Sequence, residues 1–253
     1  LHRSPGVFFK GDRDEYLAKI IPYRGSWVEF EYDQKGILHA RLGKRKILAT
    51  IFLRALGLWL SPQIDMKTVS DNILEEVVKN AEYSNADILK LFYTVDEAQV
   101  AKGKLYLKVK SEGDTNLAGM RAEEDIKDKK EDVTRVGKKV TKSAVSELRK
   151  LGREKVEVSP NDFEGAYALS DVINTETGEV IIESNTEILP AKLQQIIEEG
   201  VESFEIFFPK NDVIGEVITN TLRKDAITKP VDALLELYRK MRPGDPPTVP
   251  TAY

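Results

Sequence analysis

Six side chains within the first fifty positions could grip a polyanion: Arg3, Arg24, Trp27, Lys44, Arg45 and Lys46. Arginine and lysine neutralise phosphates, and an exposed indole can stack on an unpaired base. Arg3 precedes Ser4-Pro5-Gly6. Arg24 belongs to Pro22-Tyr23-Arg24-Gly25, a turn signal directly before Trp27. The pattern has a blander reading too, in which Trp27 is a half-buried sheet residue and the charges are merely solvated. Trp59, leading out of an apolar run, takes only the packing role.

Other chemistries find little support. The 253 residues hold no cysteine and two histidines, His2 and His39, which excludes disulfides, thiolate sites and cysteine nucleophiles. No Gly-rich phosphate loop, H-E-x-x-H, G-x-S-x-G or kinase signature occurs. Among 42 Asp and Glu, chance pairs abound, so no acid/base couple stands out. Glu123-Glu124-Asp125 lacks EF-hand spacing and reads as a solvated face. His39 falls on an expected strand, as a surface or packing residue rather than a base. His2, beside Arg3, could touch an anion.

The elements that must position the basic and aromatic residues come from periodicity. Residues 27–32 (Trp-Val-Glu-Phe-Glu-Tyr) alternate with period two. Trp27, Glu29 and Glu31 fall on one face and Val28, Phe30 and Tyr32 on the other, which is the core side. Asp33-Gln34-Lys35-Gly36 turns the chain into a second strand over 37–42. After the basic triplet, 47–56 reads as an apolar helix carrying Arg54. Helices are expected at 71–80 and 85–93, the latter capped by Ser84 or Asn85, with a loop over 58–70.

From about residue 94 the style changes. A strand is expected at 104–110, then a polar, charge-dense stretch at 111–132 that reads as a mobile surface loop. Helices follow at 141–151 and 190–199, closed by Gly152 and Gly200, with strands at 156–158, 167–173, 179–184 and 204–208. An amphipathic helix over 231–241 stops at Arg242-Pro243-Gly244-Asp245-Pro246-Pro247, and the proline-rich tail beyond it should not fold. The mixture is α+β, with mixed helices and antiparallel strands, no βαβ periodicity and no internal repeat.

Composition sets the outer bounds. At 41% hydrophobic and 32% charged, the chain can bury a sizeable core under a charged surface. No run approaches the roughly 20 apolar residues of a membrane span, and the first residues lack a signal peptide's apolar centre. A cytoplasmic protein with no membrane partner is expected. Residues 1–56 carry eleven Lys/Arg against six Asp/Glu, although the net charge is −4. The basic excess thus sits with the candidate site, and the acidic remainder argues against a whole-surface nucleic-acid binder.

Four blocks carry a resemblance: Leu1-His2-Arg3-Ser4-Pro5-Gly6-Val7-Phe8-Phe9, then Ile20-Ile21-Pro22-Tyr23-Arg24-Gly25-Ser26-Trp27, then TIFLRAL at 50–56, and finally residues 237–248 (LYRKMRPGDPPT). In this order they closely resemble the lobe region of the β subunit of bacterial DNA-directed RNA polymerase. Residues 94–220 resemble an insertion that some bacterial lineages carry in the lobe, with NTETGE at 174–179 and the stretch 216–223 as its recognisable parts. Two departures stand out: residues 58–83 look longer than the family's connection, and the 44–46 basic run looks one residue shorter, so it transfers only as a patch. The chain also stops where the family's lobe continues.

The resemblance implies two bodies with one inserted into the other: lobe at 1–93, insertion at 94–220, and a return lobe segment at 221–253. It implies a non-catalytic fragment that lines the main cleft and touches DNA at the downstream edge of the transcription bubble, as part of a nucleotidyltransferase. Partners would be DNA, other polymerase subunits, the sigma factor and regulators on the insertion. No cofactor is expected in this fragment, because the family's Mg²⁺ is bound by another subunit. The family's RGSW tryptophan and LHRSPG arginine approach the unpaired non-template strand, which implicates Trp27 and Arg3. A purely structural scaffold and a stand-alone single-strand-binding module remain as alternatives, and exposure of the Trp27 ring would help separate them.

Overall fold

A computed structural model describes residues 4–12, 15–60, 81–128 and 131–252. Arg3, His2, the helix expected at 71–80 and residues 61–70 of the loop expected at 58–70 lie outside the described residues. The chain divides into two compact units, one of Leu1–Ile88 with Glu216–Tyr253, the other of Leu89–Gly215.

The first unit begins with an antiparallel meander. Its five strands are β1 (Gly6–Asp12), β2 (Glu15–Ile21), β3 (Val28–Tyr32), β4 (Leu38–Leu42) and β5 (Arg45–Leu48), hydrogen-bonded in chain order. The turn between β3 and β4 is set by Asp33, whose carboxylate accepts from the Lys35 and Ile37 amides at 2.8 and 2.9 Å. Gly36 takes the left-handed conformation the turn needs (φ +69°). The resulting register places Glu29 opposite Arg41 and Phe30 opposite Ala40. Side chains alternate across the sheet, so Phe30, Ala40 and Ile47 share the face covered by helix α1 (Ala49–Leu60). There the Phe30 and Phe52 rings meet edge to face, centroids 5.8 Å apart.

Helix α1 is where the two chain ends of this unit join. Its Arg54 has no exposed surface. The guanidinium donates from Nη1 to the Tyr83 carbonyl (2.6 Å) and the Thr228 carbonyl (3.1 Å), and from Nη2 to Asn85 Oδ1 (2.6 Å). Asn85 begins α2 (Asn85–Phe92), and Thr228 lies between α5 (Val217–Lys224) and α6 (Pro230–Met241). Burial pushes the guanidinium below its ordinary value, while nearby Asp225 pulls the other way. Thr50, one turn earlier, donates to that same Asp225 carboxylate (2.7 Å), and Thr221 accepts from the Leu38 amide of β4 (2.9 Å). Packing is equally close at Gly57, where an added Cβ would lie 2.8 Å from the Tyr83 ring. Ser84 caps α2: its hydroxyl accepts from the Asp87 amide while the Asp87 carboxylate accepts from the Ser84 amide.

Three expectations for this unit change. Ile47 and Leu48 end β5 rather than opening the helix, which starts at Ala49, and residues 58–60 continue α1 rather than starting a loop. The tail also folds: Val249–Ala252 form a short helix, α7, with Val249 buried. Pro250 falls in the first turn of that helix, where a missing N–H costs nothing, and the Thr251 hydroxyl accepts from the Thr248 amide (3.1 Å).

The second unit is built on an antiparallel sheet of order β10-β7-β6-β14-β11. These are β6 (Val95–Ala101), β7 (Lys104–Lys108), β10 (Lys155–Glu157), β11 (Tyr167–Ala168) and β14 (Ser203–Phe207). Helices α3 (Lys142–Lys150) and α4 (Pro190–Glu198) contribute Leu148 and Ile196 to a core shared with Leu107, Phe163 and Ile206. Thr141 caps α3 by accepting from the Ala144 amide.

The segment 111–132 is not the loose loop that its charges suggested. The buried Asp96 carboxylate fixes its start, accepting from Thr115 Oγ1 (2.7 Å) and the Asn116 amide (2.8 Å). Leu117, Met120 and Ala122 then enter the core. The charge run ends in a small hairpin, β8 (Ile126–Asp128) with β9 (Glu131–Thr134). Three well-spaced apolar residues decide the path of this charge-rich stretch, because only they need burial. The strand expected over 167–173 is two pieces, β11 and β12 (Val172–Ile173), the latter pairing with β13 (Val180–Ile182). Ser184 parts them: its hydroxyl donates to the Leu169 carbonyl and its amide to Asp171.

Two predictions follow from the first unit. Arg54→Ala removes the partner of two carbonyls and an amide oxygen and should cost about 3–5 kcal/mol in urea unfolding of the chain. Arg54→Lys, which keeps the charge but not the fork, should recover only part of that loss. His39 supplies the second. Half-buried on β4, its ring Nδ1 is 3.1 Å from the Ile37 carbonyl, and burial and then Lys46 push its pKa below the ordinary value, against smaller pulls from Asp33 and Glu31. A depressed histidine adds stability above its unfolded pKa of about 6.5 that is lost as pH falls through its folded value. Unfolding free energy should therefore decline from pH 7 toward pH 5, with a shallower slope in His39→Gln.

Candidate nucleic-acid interface

The sheet face opposite α1 carries the charged residues. The register aligns Lys19 of β2, Glu29 of β3, Arg41 of β4 and Lys46 of β5 in one row across four strands. Lys19 Nζ lies 2.5 Å from Glu29, while Arg41 and Lys46 reach Glu31 of the neighbouring row at 2.7 and 3.1 Å. The hydrogen bond from Arg41 holds the Glu31 carboxyl below its usual range, with Lys46 adding to it against partial burial. Carboxylates that puzzle in the sequence thus serve as the anionic half of cross-strand pairs.

Trp27 enters β3 at the edge of this array, its parity placing it with Glu29 and Glu31. It is 39% exposed, so the indole is neither a core residue nor free of the surface. The Lys19 ammonium sits 5.0 Å from the ring centroid, within cation–π range, and is shared with Glu29. The Trp27 carbonyl accepts from the Gly43 amide (3.2 Å), which brings the β4–β5 turn, with exposed Lys44, alongside it. Arg24 is exposed in the bend just before Trp27, next to Tyr23, which is almost fully exposed.

The structure therefore gathers Trp27, Arg24 and Lys44 at one end of the sheet but divides the basic triplet. Lys44 lies in the turn. Arg45 pairs with Leu42 on the α1 side of the sheet, whereas Lys46 opposes Arg41 on the charged side and is committed to Glu31. A run of adjacent cations on a strand cannot form one patch, because alternate side chains leave opposite faces. Arg3 lies outside the described residues. Lys19 and Arg41 were missed from sequence, although a signal existed: the Asp33–Gly36 turn fixes the register that sets Arg41 across from Glu29.

Among the described residues no group of three or more His, Asp or Glu is placed to hold a metal ion, and no helix is long and apolar enough to cross a membrane.

Two of the recognisable sequence words hold structural contacts. Thr50 and Arg54 of TIFLRAL are the buried anchors described above. In NTETGE, the Asn174 side chain accepts from the Glu176 and Thr177 amides and donates to Glu199 at the end of α4 (2.8 Å).

No protein-family model matches the chain. Individual proteins match from end to end. The DNA-directed RNA polymerase subunit beta of Koribacter versatilis is 48% identical over 258 aligned residues that cover all of this chain and 16% of that protein. The same subunit of Solibacter usitatus is 45% identical, also over the whole chain and 16% of its own length, and that of Sorangium cellulosum 36%, over 17%. The chain thus spans about a sixth of the length of these relatives. Homologous throughout to one segment of the DNA-directed RNA polymerase β subunit, these 253 residues belong to that family.

Proposed function

We propose that this chain is a non-catalytic lobe portion of a DNA-directed RNA polymerase, lining the main cleft and touching DNA at the downstream edge of the transcription bubble. The observation that carries this reading is the position of Trp27: part of its indole surface is open, on the sheet face turned away from α1, between the Arg24 bend and the Lys44 turn. An unpaired base can stack on the open part of the ring, while Arg24 and Lys44 neutralise phosphates on either side. Lys19, Arg41 and Lys46 are already matched by Glu29 and Glu31, so they orient the ring and its strand more than they attract DNA. Arg3 joins the same contact by the family resemblance.

The segment would work with the other polymerase subunits, DNA and the sigma factor, in the cytoplasm. Mg²⁺, which supports nucleotidyl transfer in this family, would be held by another subunit, and no step of that reaction is derived through this chain. The second unit, as the lobe insertion, would present a surface to regulators.

The test uses a reassembled polymerase containing this segment. Base–aromatic stacking is worth about 1–3 kcal/mol by alanine substitution, or roughly 5–150-fold in an equilibrium. Trp27→Ala should shorten open-complex lifetime on that scale and leave folding stability within about 1 kcal/mol. Trp27→Phe should keep part of the effect, because a π-face remains. A folding loss of several kcal/mol, with polymerase–DNA behaviour unaltered once folding is restored, would favour the scaffold role.

A further inference from the structure

The second unit is lopsided in charge along its sequence. Residues 89–155 carry 17 Lys/Arg against 12 Asp/Glu, whereas 156–215 carry 13 Asp/Glu against only two lysines. Within that acidic half lies an apolar groove of about 630 Å³, between the turn at Pro160–Phe163 and helix α4. Phe163, Ile188 and Leu193 form its floor and are buried, while Leu189 stands at the lip with 56% of its surface exposed, just before Pro190 starts α4. Glu164 and Glu187 border the same groove. Neither carboxylate makes an ion pair or a side-chain hydrogen bond among the described residues, in a unit where many other acids are matched: Glu97 to Lys108, Glu157 to Lys104, Asp162 to Arg121.

We infer that this groove is a docking site for a protein segment that presents a few aliphatic side chains flanked by lysine or arginine. Each part of the arrangement selects for that chemistry. An exposed leucine over an apolar floor gains by covering itself. Two unpaired carboxylates at the rim select cations and set the register of whatever enters. Nucleic acid is disfavoured, since its phosphates would face those two carboxylates at the rim. The inference does not rest on the DNA reading, which concerns the other unit, and its test contains no DNA.

The probe is a dye-labelled synthetic amphipathic helix with leucine on one face and lysines beside it, titrated with the 253-residue chain and followed by fluorescence anisotropy. Its leucine–glutamate counterpart is the control. The lysine peptide should bind and the glutamate peptide should not. Leu189→Ser should weaken binding about tenfold, as expected for losing one well-buried aliphatic contact. The double variant Glu164→Lys/Glu187→Lys should invert the preference. Glu176→Lys/Glu179→Lys, an equal charge change on the exposed turn after β12, should leave affinity within about twofold, because exposed charges at a distance are screened. The inference is overturned if both peptides bind alike, or if neither binds. It is also overturned if Leu189→Ser has no effect, or if the 176/179 variant does as much as the rim variant, which would mean diffuse attraction. Sedimentation showing self-association that Leu189→Ser abolishes would put a second copy of the chain in the groove instead.

Discussion

The first unit depends on one buried cation. Arg54 is the single basic residue of an otherwise apolar helix stretch, and it has no exposed surface. Burying a guanidinium is costly unless its hydrogens are taken up; here three acceptors from two distant parts of the chain serve Nη1 and Nη2, while the buried Nε–H has no partner among the described residues. Residues 83–85 arrive after a long excursion, and residue 228 after the whole second unit. A fork that reaches both at once fixes where the chain leaves and where it returns. The same requirement explains the neighbouring contacts: Thr50 holds Asp225, Thr221 holds the β4 backbone, and Gly57 makes room for Tyr83.

What the helix does for the site is indirect but strict. By covering the face that holds Phe30, Ala40 and Ile47, α1 leaves the opposite face to solvent. Trp27 and the cross-strand pairs must then lie outside. Alternation leaves no intermediate arrangement, since a slip of one residue would exchange the two faces entirely. The interface is therefore specified by the packing beneath it as much as by its own residues.

Local signals were legible where one or two residues decide the geometry. The Asp33–Gly36 turn, the Ser84 cap and the helix stops at Gly152 and Gly200 are written in residue types that have few other uses. Trp27 was placed on the correct face by simple alternation. What escaped the sequence is non-local. Nothing adjacent to Arg54 announces that its acceptors lie near residues 84 and 228. Lys44-Arg45-Lys46 reads as a patch only until the strand divides it. The stretch 111–132 reads as a loop because its core residues are outnumbered, yet Leu117, Met120 and Ala122 decide its fate. Val249 is buried by helix α6, which a local reading of prolines cannot see.

Arg54 makes the separated parts of the first unit into one cooperative body. Native-state hydrogen exchange under increasing denaturant addresses this most directly, because it reads the opening free energy of each segment separately. The slowest amides of α1, of residues 84–88 and of α6 should converge on one opening free energy with one denaturant slope, and should separate in Arg54→Ala. If α6 in the unaltered chain instead opens several kcal/mol below α1, with its own shallower slope, the guanidinium does not join the two parts.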